Sequence, residues 1–486
     1  MVSSVQRRAA SWLAAGIVCY FLFFYGLTGA GLLGPDEPRY ASIGREMARS
    51  GDWLTPRLWG DAWFEKPPLL YWMTAAAFRA GLSEDLAPRL PVALLSVAFL
   101  LFFWRILRRE FGVKAALFST AILATSAGWI GFSRIGATDL PLAATFSAAM
   151  LLVLPWTGNV PGRPRLAAAA ALLGVAVLAK GLVPLVLAVP ALWALRRHWR
   201  ELLRPAPIAV FTAIAAPWYI AMTALHGSRF LYEFFLRHHL ARFFTDSLQH
   251  VQPFWFYAPV LIAGLFPWSP LLALTARKAL YQDPRARFLL LWVAFGFVFF
   301  SASSNKLPGY LLPLLPPTAA LAGISLAQLR KPRVVALCAL LLGLLPLVAA
   351  MLPGTLLLGL THAQPGRVSW PASALFCSLA IAVWLLVSRE KLRWAVLATA
   401  AATVAGVAWL ASATFPLLDR TVSARVVWRE VEARRDEVCV AGVNRGWRYT
   451  LNYYSVTPLP DCGAAPMRLR IEQPHGLAPH PVPSAK

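Results

Sequence analysis

Apolar blocks of about 20 residues recur along the chain, set apart by short polar turns, and each is near the length that spans a bilayer. They fall near 12–33, 88–104, 115–133, 140–156, 166–180, 182–196 and 206–225. Six more lie near 254–275, 288–304, 309–329, 334–352, 371–388 and 394–414. The pattern predicts an all-α polytopic membrane protein of about 13 transmembrane helices. The short alternating strands of a membrane β-barrel are missing from it. The first block follows Arg7 and Arg8 like a signal sequence, but it is too long and lacks a clean cleavage site, so we read it as a retained span. Two long charged segments interrupt the series, 34–87 and 226–252. A polar tail, 415–486, then follows a transmembrane domain of 1–414. Within the tail Val438–Val443 reads as a strand and Gly446–Tyr454 as a short helix, ahead of a Pro-rich end expected to be loose. Together these predict a small α/β C-terminal domain.

Composition agrees. Hydrophobic residues make up 58%, mean hydropathy is +0.58, and charged residues are 14%, against about 25% in ordinary domains. The formal net charge of +24 does not call for nucleic acid, because the basic residues gather on one side of the predicted spans. With the N-terminus in the cytoplasm, the inside turns collect Arg7/Arg8, Arg105–Lys114, Arg163/Arg165, Arg196–Arg204, Arg277–Arg287, Arg330–Arg333 and Arg389–Arg393. The short outside turns hold only Arg134, Lys180, Lys306 and Arg367. That asymmetry sets orientation, and affinity for anionic membrane lipids accounts for the remaining charge. Both long segments and the C-terminal tail then lie outside. Cys19, Cys338 and Cys377 fall in apolar blocks as inert core thiols. Cys439 and Cys462 lie in the tail, where a disulfide is open to them if that side is oxidising.

The candidate chemistry gathers on the outside face. Eight of the 22 acidic residues fall between Asp36 and Asp85. Around them stand Arg39, Tyr40, Glu65 and Lys66, framed by Trp53, Trp59, Trp63 and Trp72. Acids beside interfacial tryptophans are costly to keep without a role. Tyr40, Ile43 and Met47 recur at helical spacing after Asp36-Glu37-Pro38, which predicts an amphipathic helix lying at the interface. Helix capping by Asp36 is the bland account of that acid. It leaves Arg39, Glu65 and Lys66 unexplained. Asp139 is the sole acid between Glu110 and Glu201, at the outside mouth of a span; a helix cap is the bland account there too, but with Asp36 it suggests two carboxylates on one cavity. Lys66, Lys180 and Lys306 run against the charge rule. Snorkelling explains any one of them, yet three on one side suit a lipid-linked phosphate, with His238, His239 and Arg242 as further cations. No HExxH or paired Cys–His spacing marks a metal site. A divalent cation between Asp36 and Asp139 stays open. There is no P-loop, no GxGxxG following a strand and no GxSxG, so nothing points to a nucleotide.

The stretch GPDEPRYASIGREMARSGDWLTPRL followed by FEKPPLLYW closely resembles the first periplasmic loop of the bacterial aminoarabinose lipid A transferases. These belong to the protein O-mannosyltransferase-like superfamily. SRIGATDLP, LAKGLVPLVL and SSNKLPGYLLP resemble that family's second acidic site, lysine turn and Lys-Leu-Pro…Tyr loop. The resemblance implies a GT-C membrane fold in the bacterial inner membrane, acting as a monomer. It implies inverting transfer of an aminoarabinose-like pentose, or a related sugar, from a polyprenyl phosphate to lipid A or another periplasmic glycan or protein. Asp36 would be the principal catalytic carboxylate and Asp139 its partner. Lys66, Lys180, Lys306 and Tyr310 would hold the donor phosphate, and Arg39, Tyr40, Glu65, His239 and Arg242 would shape the cavity.

Two rivals remain at this stage. A protein O-mannosyltransferase-like enzyme would use the same donor class on Ser or Thr. A lipid or solute transporter would also use many spans, but its ionisable groups belong near the midplane, in broken helices and with internal repeats. Here the candidate groups sit at one surface, beside a long loop, and no repeat is evident.

Overall fold

The computed structural model describes residues 4–158, 164–202, 204–241, 252–359, 362–463, 467–474 and 478–483. Among these, seven helices are long and apolar enough to cross a membrane. One further pair, Phe254–Gly264 with Ser269–Thr275, is bent by 114°, and three shorter apolar helices accompany them. The apolar blocks of the sequence reappear as helical segments, with instructive departures. Helix α1 (Ser4–Cys19) continues as a π-helical turn only to Phe24, so the first span is shorter than the apolar run to residue 33. After Gly26, at φ 66°, the chain turns inward instead. The carbonyls of Leu27, Ala30 and Gly31 are gathered by the buried Arg89 guanidinium. Hydrophobicity here records burial against protein rather than passage through lipid.

Helix α2 (Asp36–Ser50) has Asp36 and Glu37 in its first turn, where carboxylates complement the helix dipole, and it ends at Gly51 in the left-handed region. A two-residue antiparallel pair, β1 (Arg57–Leu58) and β2 (Asp61–Ala62), follows. Helix α3 (Leu69–Arg79) starts directly after Pro67-Pro68. The expectation that α2 lies at the membrane interface is corrected by its burial. Glu37, Arg39, Tyr40, Ile43, Arg45 and Met47 are all buried, so both polar and apolar faces are covered. Arg45 shows why: its guanidinium donates to the Tyr453 carbonyl at 2.6 Å and stacks 4.3 Å over the Tyr453 ring. A charge on the outer face is met by the C-terminal residues, not by lipid headgroups.

Helix α4 (Leu90–Ala124) is two segments broken at Gly112 (φ 84°, ψ 171°), matching two predicted blocks. The short α5 (Ala127–Ser133) leads into α6 (Asp139–Gly158) and α7 (Pro164–Lys180). The block at 182–196 divides into two short helices, Val183–Leu187 and Val189–Ala194. Helix α8 (Pro205–Leu231) is broken at Gly227, and α9 (Pro284–Ala302) precedes α10 (Leu315–Ala327). Helix α6 packs on α7, and α10 on α4, forming the interior.

After residue 414 the chain forms α11 (Phe415–Val422), α12 (Ala424–Val431), β3 (Val438–Ala441), α13 (Arg445–Tyr454), β4 (Leu469–Glu472) and β5 (His480–Pro483). Strand β4 pairs parallel to β3 and antiparallel to β5. The Pro-rich end is therefore ordered where it is described, because β5 finds an edge to pair with. Asn444 caps α13 by accepting from the N–H groups of Gly446 and Trp447. Leu32 and Ala41 belong to the same apolar cluster as Trp428, Trp447 and Tyr454, so this module and the first loop share a core. Arg425 fastens the junction through Asp85 and the Thr28 carbonyl, and Asp419 in α11 holds the same guanidinium at 2.7 Å. A Cys439–Cys462 disulfide ties β3 to the segment beside it. It closes a loop spanning 23 positions, a length at which a crosslink contributes about 3 kcal/mol by limiting the unfolded chain. Replacing both cysteines by serine is expected to lower the thermal midpoint of the C-terminal module. A midpoint that matches wild type under oxidising conditions would show that the bridge adds nothing.

Candidate active site

Two clusters of charge form at the ends of the helices. The first is built on α2 and the loop that returns from β2 to α3. The Asp36 side chain does not cap its helix; the cap position is Pro35, without a side-chain bond. Its Oδ1 instead accepts from Arg39 Nη2 at 2.6 Å, one turn along, while 48% of the Asp36 side chain stays exposed. Arg39 Nη2 also lies 3.1 Å from Glu65 Oε2, and Lys66 Nζ lies 3.3 Å from Glu65 Oε1. Arg39, Glu65 and Lys66 are buried. Asp36 is thus the open end of an otherwise enclosed chain of alternating charges. Rings of Tyr40, Trp63 and Tyr449 surround the Arg39 guanidinium at 5.3–5.5 Å. Burial alone would lower the affinity of Arg39 for its proton, but the Glu65 and Asp36 carboxylates more than offset it and hold the group charged. Burial pushes the Tyr40 and Tyr71 phenols well above their ordinary range, so both remain neutral, and Tyr40 accepts from Arg39.

The second cluster joins three segments distant in sequence. Asp139 opens α6 and Lys180 closes α7, and Lys180 Nζ meets Asp139 Oδ1 at 2.6 Å. The ammonium also lies 4.9 Å from the centre of the Tyr310 ring. Gly309 lets the loop before α10 come this close, since a Cβ there would sit 2.5 Å from Asp139 Oδ1. The acidic motif, the lysine turn and the Lys-Leu-Pro-Gly-Tyr loop therefore converge in space. Lys306 is buried and donates to the carbonyls of Ser303 at 2.5 Å and Gln252 at 3.0 Å, and desolvation pulls its pKa below the usual lysine range. Its ammonium secures the loop that carries Tyr310. His239 belongs to the π-helical segment Tyr232–Ala241, but its side chain and all of Arg242 lie outside the described residues.

Glu37 connects the clusters. It is 2% exposed and takes a bidentate contact from Arg89, Nε to Oε1 and Nη2 to Oε2, both at 2.8 Å. Its Oε1 also accepts the Gly136 N–H at 2.9 Å, three residues ahead of Asp139. One carboxylate thus ties the start of α2 to the approach to α6. Reading by motif leaves Glu37 as a first-turn helix acid and passes over Arg89 and Tyr449. Arg89 carried a usable signal, as another cation on the predicted outside border of a span, against the charge rule. Nothing local marked Tyr449. Among the described residues no group of three or more His, Cys, Asp or Glu is placed to hold a metal ion.

Comparison with known proteins places the fold. The family model described as dolichyl-phosphate-mannose-protein mannosyltransferase matches residues 65–223. An undecaprenyl phosphate-alpha-4-amino-4-deoxy-L-arabinose arabinosyl transferase 2 from Pseudomonas fluorescens is 34% identical over 431 residues, covering 79% of this chain and 72% of its own. The corresponding Pseudomonas aeruginosa transferase is 34% identical over 428 residues, with 85% and 76% covered. The crystal structure of ArnT from Cupriavidus metallidurans bound to undecaprenyl phosphate superimposes with a TM-score of 0.72 at 26% identity, covering 93% of this chain and 86% of that one. Its apo state gives a TM-score of 0.73 at 25% identity, with 98% and 87% covered. Identity of a third over most of both chains, on a shared fold, places this chain in the undecaprenyl phosphate-aminoarabinose arabinosyl transferase family.

Proposed function

We propose that the protein moves an aminoarabinose-like pentose from undecaprenyl phosphate to lipid A at the periplasmic face of the inner membrane, by one inverting displacement. The convergence of Asp139, Lys180 and Tyr310 from three separate segments carries this reading. It creates a cation at the mouth of the helices, where a polyprenyl phosphate would place its charge. In the reaction the bond from the anomeric carbon to the carrier phosphate oxygen breaks, and its electrons stay with the leaving polyprenyl phosphate. A new bond forms from the acceptor oxygen on the opposite face of the sugar. A hydroxyl acceptor passes its proton to Asp36, whereas a phosphate acceptor arrives already anionic and is oriented there. Lys180, with Tyr310, Lys66 and Lys306, would take up the charge released on the leaving phosphate. No step obliges a covalent enzyme intermediate.

The finer architecture belongs to the same proposal. Counting the two halves of α4, the bent pair, the three shorter apolar helices and α7 as spans gives 13 crossings of a bilayer. The asymmetry of Lys and Arg then puts both clusters and the C-terminal module, residues 415–486, outside the cytoplasm. The Cys439–Cys462 disulfide supports an oxidising side for that module. Both clusters come from one chain, so a monomer completes the site.

Lys180→Met is expected to raise the KM for donor by about 10- to 100-fold, the loss of one charge-assisted bond to phosphate. Steady-state transfer against donor concentration checks it; an unchanged KM would leave Lys180 as only the counter-ion of Asp139.

The function itself is tested in proteoliposomes with radiolabelled undecaprenyl-phosphate aminoarabinose, offering lipid A and Ser/Thr peptides separately. Label on lipid A supports the proposal. Label confined to peptide favours the protein mannosyltransferase-like reading, which the family-model match at 65–223 suggests. Label that crosses the bilayer still attached to its carrier would mean transport.

A further inference from the structure

Tyr449 stands on α13, in the C-terminal module, yet its ring reaches the first charge cluster. It stacks on Trp59 with centroids 5.7 Å apart and planes 24° from parallel. The Arg39 guanidinium lies 5.5 Å from the same ring. Trp59 holds its place at a cost, since it adopts φ 55° in the β1–β2 turn. The start of α13 lies against the backbone just ahead of Asp36, because a Cβ on Gly446 would be 3.7 Å from Gly34 C and Pro35 N.

Arg39 needs such a neighbour. Its Nη2 serves both Asp36 and Glu65, while its buried Nε has no hydrogen-bond acceptor among the described residues. Two carboxylates on one nitrogen and a hydrogen bond to Tyr40 hold one side of the guanidinium and leave its remaining surface to be covered by rings. Of the three rings around it, Tyr40, Trp63 and Tyr449, the last alone comes from outside the first loop, and a desolvated guanidinium is attracted to an aromatic face. Ordinary packing of α13 on the first loop would also bring a ring here. It would not require a flat aromatic surface on the guanidinium, stacked in turn on a tryptophan in the left-handed region.

We propose that Tyr449 is a positioning residue. Its ring, braced by Trp59, fixes the guanidinium of Arg39 and thereby the direction in which Arg39 presents Asp36 to the acceptor. The C-terminal module is then part of the transfer apparatus and not only a cover. This inference rests on the reading of Asp36 as the acceptor-side carboxylate.

The test compares wild type with Tyr449→Ala, Tyr449→Leu and Tyr449→Phe in the full-length protein in proteoliposomes. Leucine keeps apolar bulk without a π face, and phenylalanine keeps the face. Ala and Leu are expected to lower kcat by about 10-fold with the donor KM unchanged, and Phe to restore the rate. Hydrogen exchange of the backbone across 36–42 should quicken in Ala and Leu but not in Phe, a readout that needs no turnover. If Leu transfers as fast as wild type, if Phe is as slow as Ala, or if the loss lies in the donor KM, the inference is overturned. If wild type transfers from no polyprenyl-phosphate sugar, the proposed function fails, and exchange alone decides: equal rates in Leu and Phe reject the role of the ring.

Discussion

Asp36→Asn is expected to lower kcat for transfer by about 100-fold or more, in a protein that still folds and still binds the carrier lipid. Asparagine keeps the shape of the side chain, and the half-exposed position imposes little packing demand. What is lost is the negative charge at the open end of the cluster. Removing a positioned base costs about 100- to 10,000-fold where a hydroxyl must be deprotonated. A phosphate acceptor lies toward the lower end, because it needs orientation rather than proton removal. The acceptor therefore sets the size of the effect, and comparing lipid A with a simple hydroxyl acceptor separates the roles. Arg39 in the variant still has Glu65 at 3.1 Å, so the interior of the cluster should survive. Single-turnover transfer from pre-bound donor is the measurement. A rate within a few fold of wild type would remove Asp36 from the chemistry and return it to the place of a first-turn helix acid.

Much of this was legible before the fold. The acids at 36 and 139 and the lysines at 66 and 180 broke the two rules that govern a membrane chain, scarcity of acids and scarcity of outside cations. Residues that break a rule at a cost stand out in a single sequence. Asp139 and Lys180 were expected on one face but in different roles, and their direct pairing across 41 positions is visible only in the structure. Other features were hidden for a physical reason. Tyr449 obeys every rule, as an aromatic on a short amphipathic helix, and its role comes only from the partner it faces. The run from 25 to 33 is apolar enough for lipid but is folded inside protein, and hydropathy does not distinguish those two solvents. The burial of α2 was hidden likewise, since its polar face is matched by Tyr453 and the C-terminal residues, hundreds of positions away.

Arg89→Met is expected to be the most damaging single change outside the clusters, preventing accumulation of folded protein or sharply lowering its thermal midpoint. Removing one member of a buried ion pair costs about 3–5 kcal/mol, because the other charge stays behind without a partner. Glu37 would be that charge, at 2% exposure. The loss extends further, since Arg89 also satisfies the carbonyls of Leu27, Ala30 and Gly31, in a turn with no helix to take them. For that reason the apolar double replacement Glu37→Leu with Arg89→Met, often benign for an isolated pair, is expected to rescue little here. The three carbonyls and the Gly136 N–H would still be stranded. An exposed pair sets the scale: Lys331 and Glu390 are 55% and 52% exposed, and such contacts contribute about 0–1 kcal/mol. Lys331→Ala should therefore leave the midpoint unchanged. Thermal unfolding in detergent of Arg89→Met, the double variant and Lys331→Ala checks the order. If the double variant unfolds with wild type, Glu37 and Arg89 are only a self-contained pair. If it falls with Arg89→Met, the pair is the knot that holds the start of α2 to the approach of α6, and the spacing between Asp36 and Asp139 depends on it.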